Sequence, residues 1–402
     1  MEKNFENHVY SINFNALRKL GLWNWETKNN YKKKLFLFYR CFAFLFSVTA
    51  LMAAIIQLYI SRHDFRKVSF NLCTTLLSSG ILLKNFYLGL RSVEIDGLRH
   101  DLYEDEMKQN DYEEIKIIKN YQIKFIIFRK FFYTSAFGFL SIWLIVSLLT
   151  LKWGPRELPF SIWLPLNIEN NKEFFIAFIV HAIRGSYVVA DAINSELSMF
   201  GLLLQIKTQY KILVNKLYKL SRDYSKFWIR EKINKYKRIL IENEYRSELK
   251  ICIKRQLELD DYLRKLEIFY HKPMLLQLGI CLSLAVVSGV KVLGSSFNLK
   301  WFYMIGYTLM VTFDLFVLCF MVDFLFEERK KLAHAFYDVH WYEMECYTQK
   351  DLIIIIKNAR IEKSLTAWKI FTLDLKTFLG VLKALGSWLA LFWQIMREKN
   401  NN

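Results

Sequence analysis

The sequence predicts an all-α polytopic membrane protein with seven transmembrane helices, a cytoplasmic N-terminus, and helices extended into a cytoplasmic anchor region. Three observations predict it. Hydrophobic residues make up 53% of the chain and fall in long blocks; a spanning helix needs about 20 mainly apolar residues. The stretches between the blocks are charged, and the net charge is +18. That charge is one-sided. With the N-terminus inside, the N-terminal segment and inner loops hold 39 of the 56 Lys and Arg, against 9 in the outer loops and C-terminal tail. Without the 18 in the longest inner loop the bias is still 21 to 9, the sense expected of cytoplasmic loops.

Residues 1–35 read as a cytoplasmic N-terminal segment, too polar and basic for a cleavable signal peptide. The first apolar block, about 36–59, follows Lys32, Lys33 and Lys34. The second, about 68–90, contains Lys84. The third, about 125–151, opens with Arg129 and Lys130 near its start, and the fourth, about 174–204, is the least apolar. The fifth and sixth cover about 274–293 and 301–326, the sixth carrying Asp314 and Asp323. The seventh, 371–396, carries Asp374, Lys376 and Lys383, and residues 397–402 are left as an outer tail. The fourth and seventh blocks are the two expected to escape a strict apolar window.

The loops differ in character. Pro155, Pro159 and Pro165 fall with Trp153 and Trp163 in the outer loop 152–173. Proline ends helices and tryptophan favours the interface, so this loop reads as an ordered lid or as a passive connector. Loop 206–273 mixes charged, aliphatic and tyrosine residues with few breakers. Helices four and five are expected to continue through it as amphipathic cytoplasmic helices. Residues 327–370 are expected to form a further anchor helix region. Within 36–326 lie helices one to six and any pocket.

No enzyme is expected. The seven His have no metal-ligand spacing, the six Cys form no CxxC pair, and no phosphate-binding or nucleophile motif occurs. No cofactor, metal or catalytic residue is assigned, and no nucleic-acid module accompanies the basic charge. The ionisable residues inside the blocks ask for a role, because charge at mid-bilayer costs a few kcal/mol or more. His181, Arg184, Asp191 and Glu196 lie along helix four, with Arg184 and Asp191 two turns apart on one face. Structural pairing and ligand contact both remain open for them and for Asp314.

Aromatic and small residues recur at helical spacing in the outer halves of helices two to six. Cys73, Leu77 and Ile81 share a face of helix two; Phe139, Trp143 and Ser147 share one of helix three; Phe178 and His181 are a turn apart on helix four; Tyr303 and Tyr307 are a turn apart on helix six. Such stripes serve plain packing or enclose an apolar cavity for a small molecule.

Four stretches carry a family resemblance. They are Leu20-Gly21-Leu22-Trp23; Leu332–Tyr342; Ala359-Arg360 leading through Leu365–Ile370 into the last helix; and Ser387–Ile395. Together they resemble insect odorant receptors. The last is similar to the Thr-Tyr…Gln-Phe signature shared with gustatory receptors, with Ser, Trp and Ile in place of the usual residues. The resemblance implies a tuning, ligand-binding subunit of an odorant-gated, non-selective cation channel in the plasma membrane of a sensory dendrite. It implies a volatile odorant as ligand, a shared co-receptor as partner in a tetramer, and a pocket near the outer leaflet. It also implies a pore lined by the last helix, with Leu391 at an apolar constriction and Gln394 one turn outside it. A gustatory receptor of the same architecture is the nearest alternative. A G-protein-coupled receptor would put the N-terminus outside, against the charge bias.

Overall fold

A computed structural model describes residues 8–24, 30–63, 65–153, 158–160, 162–166, 169–230, 235–293, 299–339, 341–343, 346–361 and 364–401. The chain folds as α1 (Ser11–Lys19), α2 (Asn30–Ile60), α3 (Phe65–Leu90), α4 (Ser92–Met107), α5 (Tyr112–Trp153), α6 (Asn171–Arg230) and α7 (Lys235–Leu293). There follow α8 (Leu299–Tyr337), a 3-10 turn (Trp341–Glu343), α9 (Cys346–Arg360), the two-residue strands β1 (Thr366–Ala367) and β2 (Phe371–Thr372), and α10 (Leu375–Asn401). The predicted all-α membrane architecture is the observed one, the hairpin β1–β2 apart.

Six of these helices, α2, α5, α6, α7, α8 and α10, are long and apolar enough to cross a membrane. The fourth and seventh blocks pass this test; the second, α3, is the one that falls short. Thr74, Thr75, Ser78, Ser79, Lys84 and Asn85 dilute its hydropathy, yet at 26 residues it is long enough to span. It packs between α2 and α7. Helices α6 and α7 have 60 and 59 residues. At 1.5 Å per residue each is about 90 Å long, three times a hydrocarbon core, so both extend well beyond the membrane.

The Leu20-Gly21-Leu22-Trp23 motif has a local physical reason. Gly21, at φ 77°, ends α1: its N–H donates to the Arg18 carbonyl at 3.0 Å and that of Leu22 to Leu17 at 2.9 Å. This paired closure needs the left-handed conformation that glycine adopts freely. The turn delivers Trp23, 1% exposed, against Phe14, where its indole N–H donates to Asp96 at 3.0 Å.

The extensions of α6, α7 and α8 meet in a packed region joined by buried polar contacts. Asp260 on α7 pairs with Arg329 on α8 at 3.1 Å and accepts the Tyr210 hydroxyl of α6 at 2.8 Å. Arg329 also donates to the Ile361 carbonyl at 2.7 Å, tying in the end of α9. The hairpin follows, and Asp374 then caps α10, accepting the Thr377 N–H at 2.7 Å. The last helix therefore starts at Leu375, not at residue 371 as hydropathy suggests. An aspartate N-cap sets that boundary, while Phe371 pairs with Ala367 in the hairpin.

Candidate functional site

Helices α3, α5, α6, α7, α8 and α10 converge on a cavity of about 840 Å³. Its walls are mainly apolar: Leu77 and Ile81 from α3; Phe131, Phe132, Ala136 and Phe139 from α5; Ile280 and Leu284 from α7; Tyr307, Met310 and Phe313 from α8. Helix α10 closes one side with Phe378 and Leu382. The Phe316 and Phe378 rings meet edge to face at 5.4 Å, so α8 and α10 touch at the cavity wall.

A polar cluster sits among these walls. Asn85 donates to Asp191 at 2.5 Å. The Gln277 side-chain amide donates to Glu196 at 3.0 Å and to Asp314 at 2.8 Å. The Lys84 ammonium donates to Gln277 at 3.4 Å and stands 3.9 Å from Glu196. Four helices are tied together through groups that would be costly to strand in hydrocarbon. Asp191 is thus partnered by Asn85. Arg184, two turns away, makes no ion pair with it among the described residues.

Of the residues assigned from spacing, Leu77, Ile81, Phe139 and Tyr307 line this cavity together. Cys73 is buried but is not among the residues that line the cavity. Trp143, Ser147, Phe178 and His181 are elsewhere. The Trp143 indole donates to the Pro159 carbonyl at 2.6 Å. The Phe160 N–H donates to Nδ1 of His181 at 3.3 Å, and its ring stacks on the imidazole at 6.2 Å. Ser147 is buried, and Phe178 stacks on Phe174 at 6.5 Å. Trp143 and His181 hold the outer loop; the Trp163 N–H adds a bond to the Ala53 carbonyl at 3.2 Å. The Tyr303 side chain lies outside the described residues, as do that of Trp153 and all of Pro155.

The lining spans much of the bundle, from Gly306 and Tyr307 near the start of α8 to Phe378, three residues past the start of α10. Residues that sequence spacing missed include Gln277, Asn85, Phe378 and Leu382. Lys84, Asp191, Glu196 and Asp314 were visible as charges within apolar blocks, the signal that leads to this cluster.

On α10, Leu391 is 48% exposed and Gln394 is exposed. Helix α10 touches α7 and α8, while only 6% of its most apolar window is buried. Its outer face is uncovered in the single chain.

The comparisons agree with one another. The family model for the 7tm odorant receptor matches residues 64–386, most of the chain. Odorant receptor 83a of Drosophila melanogaster is 21% identical over 281 residues, which cover 60% of this chain and 62% of that protein; the chain thus aligns with less than two thirds of this relative. The structure of the insect olfactory receptor OR5 from Machilis hrabei in complex with eugenol superposes with a TM-score of 0.81 at 15% identity, over 96% of this chain and 97% of that one. A second structure of the same receptor gives 0.78 at 14% identity, with the same coverage. Six membrane-length helices, an overall match to an insect olfactory receptor fold and a family match across most of the sequence lead to one conclusion: this multi-pass membrane protein belongs to the 7tm odorant receptor family.

Proposed function

We propose that this chain is the odorant-binding subunit of an odorant-gated cation channel assembled with a shared co-receptor. The observation that carries the proposal is the cavity, whose wall includes Phe378 and Leu382 of α10. A small apolar molecule fits such a space, and its occupancy bears directly on the helix read as the pore lining. The exposed outer face of α10 supports assembly, since an apolar helix with so little burial in one chain has room for lipid on one side and neighbouring subunits on the other. Leu391 and Gln394 lie three residues apart on that face. A ring of Leu391 closes an apolar constriction by dewetting, and Gln394 gives a polar lining beside it.

The ligand acts by binding the open arrangement more tightly than the closed one, since equal affinity for both shifts nothing. The test is whole-cell current from cells expressing this chain with and without an insect odorant co-receptor, across a volatile panel with G-protein signalling blocked. Odorant-evoked cation current only on co-expression is the expected result. Current from this chain alone would favour a self-sufficient receptor of the gustatory kind. Silence with surface expression confirmed would count against channel function.

A further inference from the structure

The polar cluster in the cavity is unbalanced in both charge and hydrogen bonding. Three carboxyl groups line it, Asp191 and Glu196 from α6 and Asp314 from α8, and Lys84 is the one basic side chain among its described lining residues. Glu196 and Asp314 share the Gln277 amide, with the Lys84 ammonium close to Glu196. Asp191 is less well provided. Its Oδ2 accepts from Asn85, but its Oδ1 is buried without a hydrogen-bond partner among the described residues, in a residue only 1% exposed. One turn along the same face the Ser195 hydroxyl, in a residue 2% exposed, also has no partner among the described residues. Both residues line the cavity. Buried polar atoms are nearly always paired, so two unpaired oxygens one turn apart beside a cavity mark a place for a polar group from outside the chain: a donor for the carboxylate, and a donor or an acceptor for the hydroxyl.

Resting on the reading of this cavity as the odorant site, we propose that it selects small amines: an apolar body against Ile81, Phe132, Phe139 and Phe313, and a protonated nitrogen held by Asp191 Oδ1 and Ser195 Oγ. An ammonium has N–H donors and no acceptor, so it satisfies both oxygens at once. A hydroxyl head can donate to Asp191 and accept from Ser195 but brings no charge, and an ester or ketone brings only acceptors, which leave Asp191 Oδ1 unmet. The positive charge also offsets the excess of acidic over basic groups. Hydrogen bonds between ionised partners are about twice as strong as neutral ones, and a site built for a donor discriminates strongly against analogues that lack it.

The experiment measures equilibrium binding of three labelled probes of equal ring and chain size, 2-phenylethylamine, 2-phenylethanol and ethylbenzene, to the full-length chain in lipid nanodiscs. The expected result is amine binding at least tenfold tighter than that of the alcohol. Asp191→Asn should bring the ratio near one and leave ethylbenzene unchanged. Asp191→Glu should keep the amine preference, so a fold defect in the amide variant does not hide the answer; Ser195→Ala should weaken it in part. Equal ratios in wild type and Asp191→Asn, or an alcohol that binds as tightly as the amine, would overturn the proposal. Ala136→Trp separates the two layers. If it abolishes ethylbenzene binding while the amine shows no advantage in the wild type, the cavity reading stands and the amine inference fails. If it leaves binding of all three probes intact, or if none binds, the cavity reading fails and takes this inference with it.

Discussion

Gly289 on α7 faces Leu389 on α10, and Gly289→Ala tests whether their contact holds α10 in place. A Cβ at Gly289 would stand 2.6 Å from Leu389 Cδ2 and 3.2 Å from its Cδ1. Carbon atoms pack best at about 3.5–4.0 Å, so the added methyl overlaps the leucine by about 1 Å. Overpacking costs about 1–3 kcal/mol, and the low end, about 1 kcal/mol, applies here because the atoms met are the far end of a flexible, half-buried leucine side chain that can turn aside. The cost falls on the arrangement in which α7 and α10 are in contact, and it is relieved when α10 moves away. If opening separates these helices, the substitution shifts the equilibrium towards open by about 5-fold, at 1.4 kcal/mol per factor of ten. Ligand-free current should rise and the half-maximal odorant concentration should fall, measured as whole-cell current normalised to surface expression. Adding Leu389→Ala removes the clashing methyls and should restore wild-type behaviour. A single variant that lowers ligand-free current, or a double variant no different from the single one, would refute the reasoning.

Other perturbations read different parts of the molecule. Asp260→Ala leaves Arg329 buried without its carboxylate; breaking one side of such a pair costs about 3–5 kcal/mol, and the thermal midpoint of the purified protein in detergent should fall by several degrees. Leu391→Ala should raise ligand-free current and alter pore block in co-expressing cells; unchanged currents would remove Leu391 from the gate. Asp374→Ala removes the α10 cap at a cost of about 0.5–2 kcal/mol, read as lower thermal stability. Partial burial opposes the Asp374 charge, but the hydrogen bonds from Thr377 and Thr372 outweigh it and hold this carboxyl below its ordinary 3.8. Its folded pKa is thus depressed, so its contribution is present above about pH 4 and is lost as pH falls through the folded value. The stability gap between wild type and Asp374→Ala should narrow in acid.

Hydropathy is a local property, so the membrane-length helices and the continuation of α6 and α7 beyond membrane length were legible in the sequence. The exception shows the limit of that signal. Helix α3 is less apolar than a strict window demands because Lys84 and Asn85 meet partners on other helices, Gln277 and Asp191, which a window along one segment cannot see. The site was partly legible for the same reason. Leu77, Ile81, Phe139 and Tyr307 share faces that turn to the cavity, but identical spacing at Trp143 and His181 serves the outer loop instead. Spacing identifies a face, not what the face meets. Gln277 carries no sequence signal at all: a neutral amide in an apolar block becomes a hub only when α6 and α8 bring Glu196 and Asp314 to it.

The proposed coupling between cavity and pore demands little energy and little movement. A ligand burying about 250 Å² of apolar surface gains roughly 6 kcal/mol at about 25 cal/mol per Å², before ordering costs. Gating uses only the part that differs between states. A tenfold shift needs 1.4 kcal/mol, or about 55 Å² of contact present in one state and absent in the other. A phenylalanine side chain buries about 150–250 Å², so partial re-exposure of one ring is sufficient. Phe378 is suited to this role because it lines the cavity, begins the second turn after the Asp374 cap, and rests its ring against Phe316 of α8. Phe316 continues along α8 in a stack with Phe320 at 5.8 Å, and Phe320 with Phe324 at 5.7 Å. A ligand that displaces Phe378 therefore acts directly on the start of α10 and, through Phe316, on the aromatic row along α8. That geometry predicts that ligand shape at the α10 wall governs efficacy, while the polar cluster on the α6 side governs affinity.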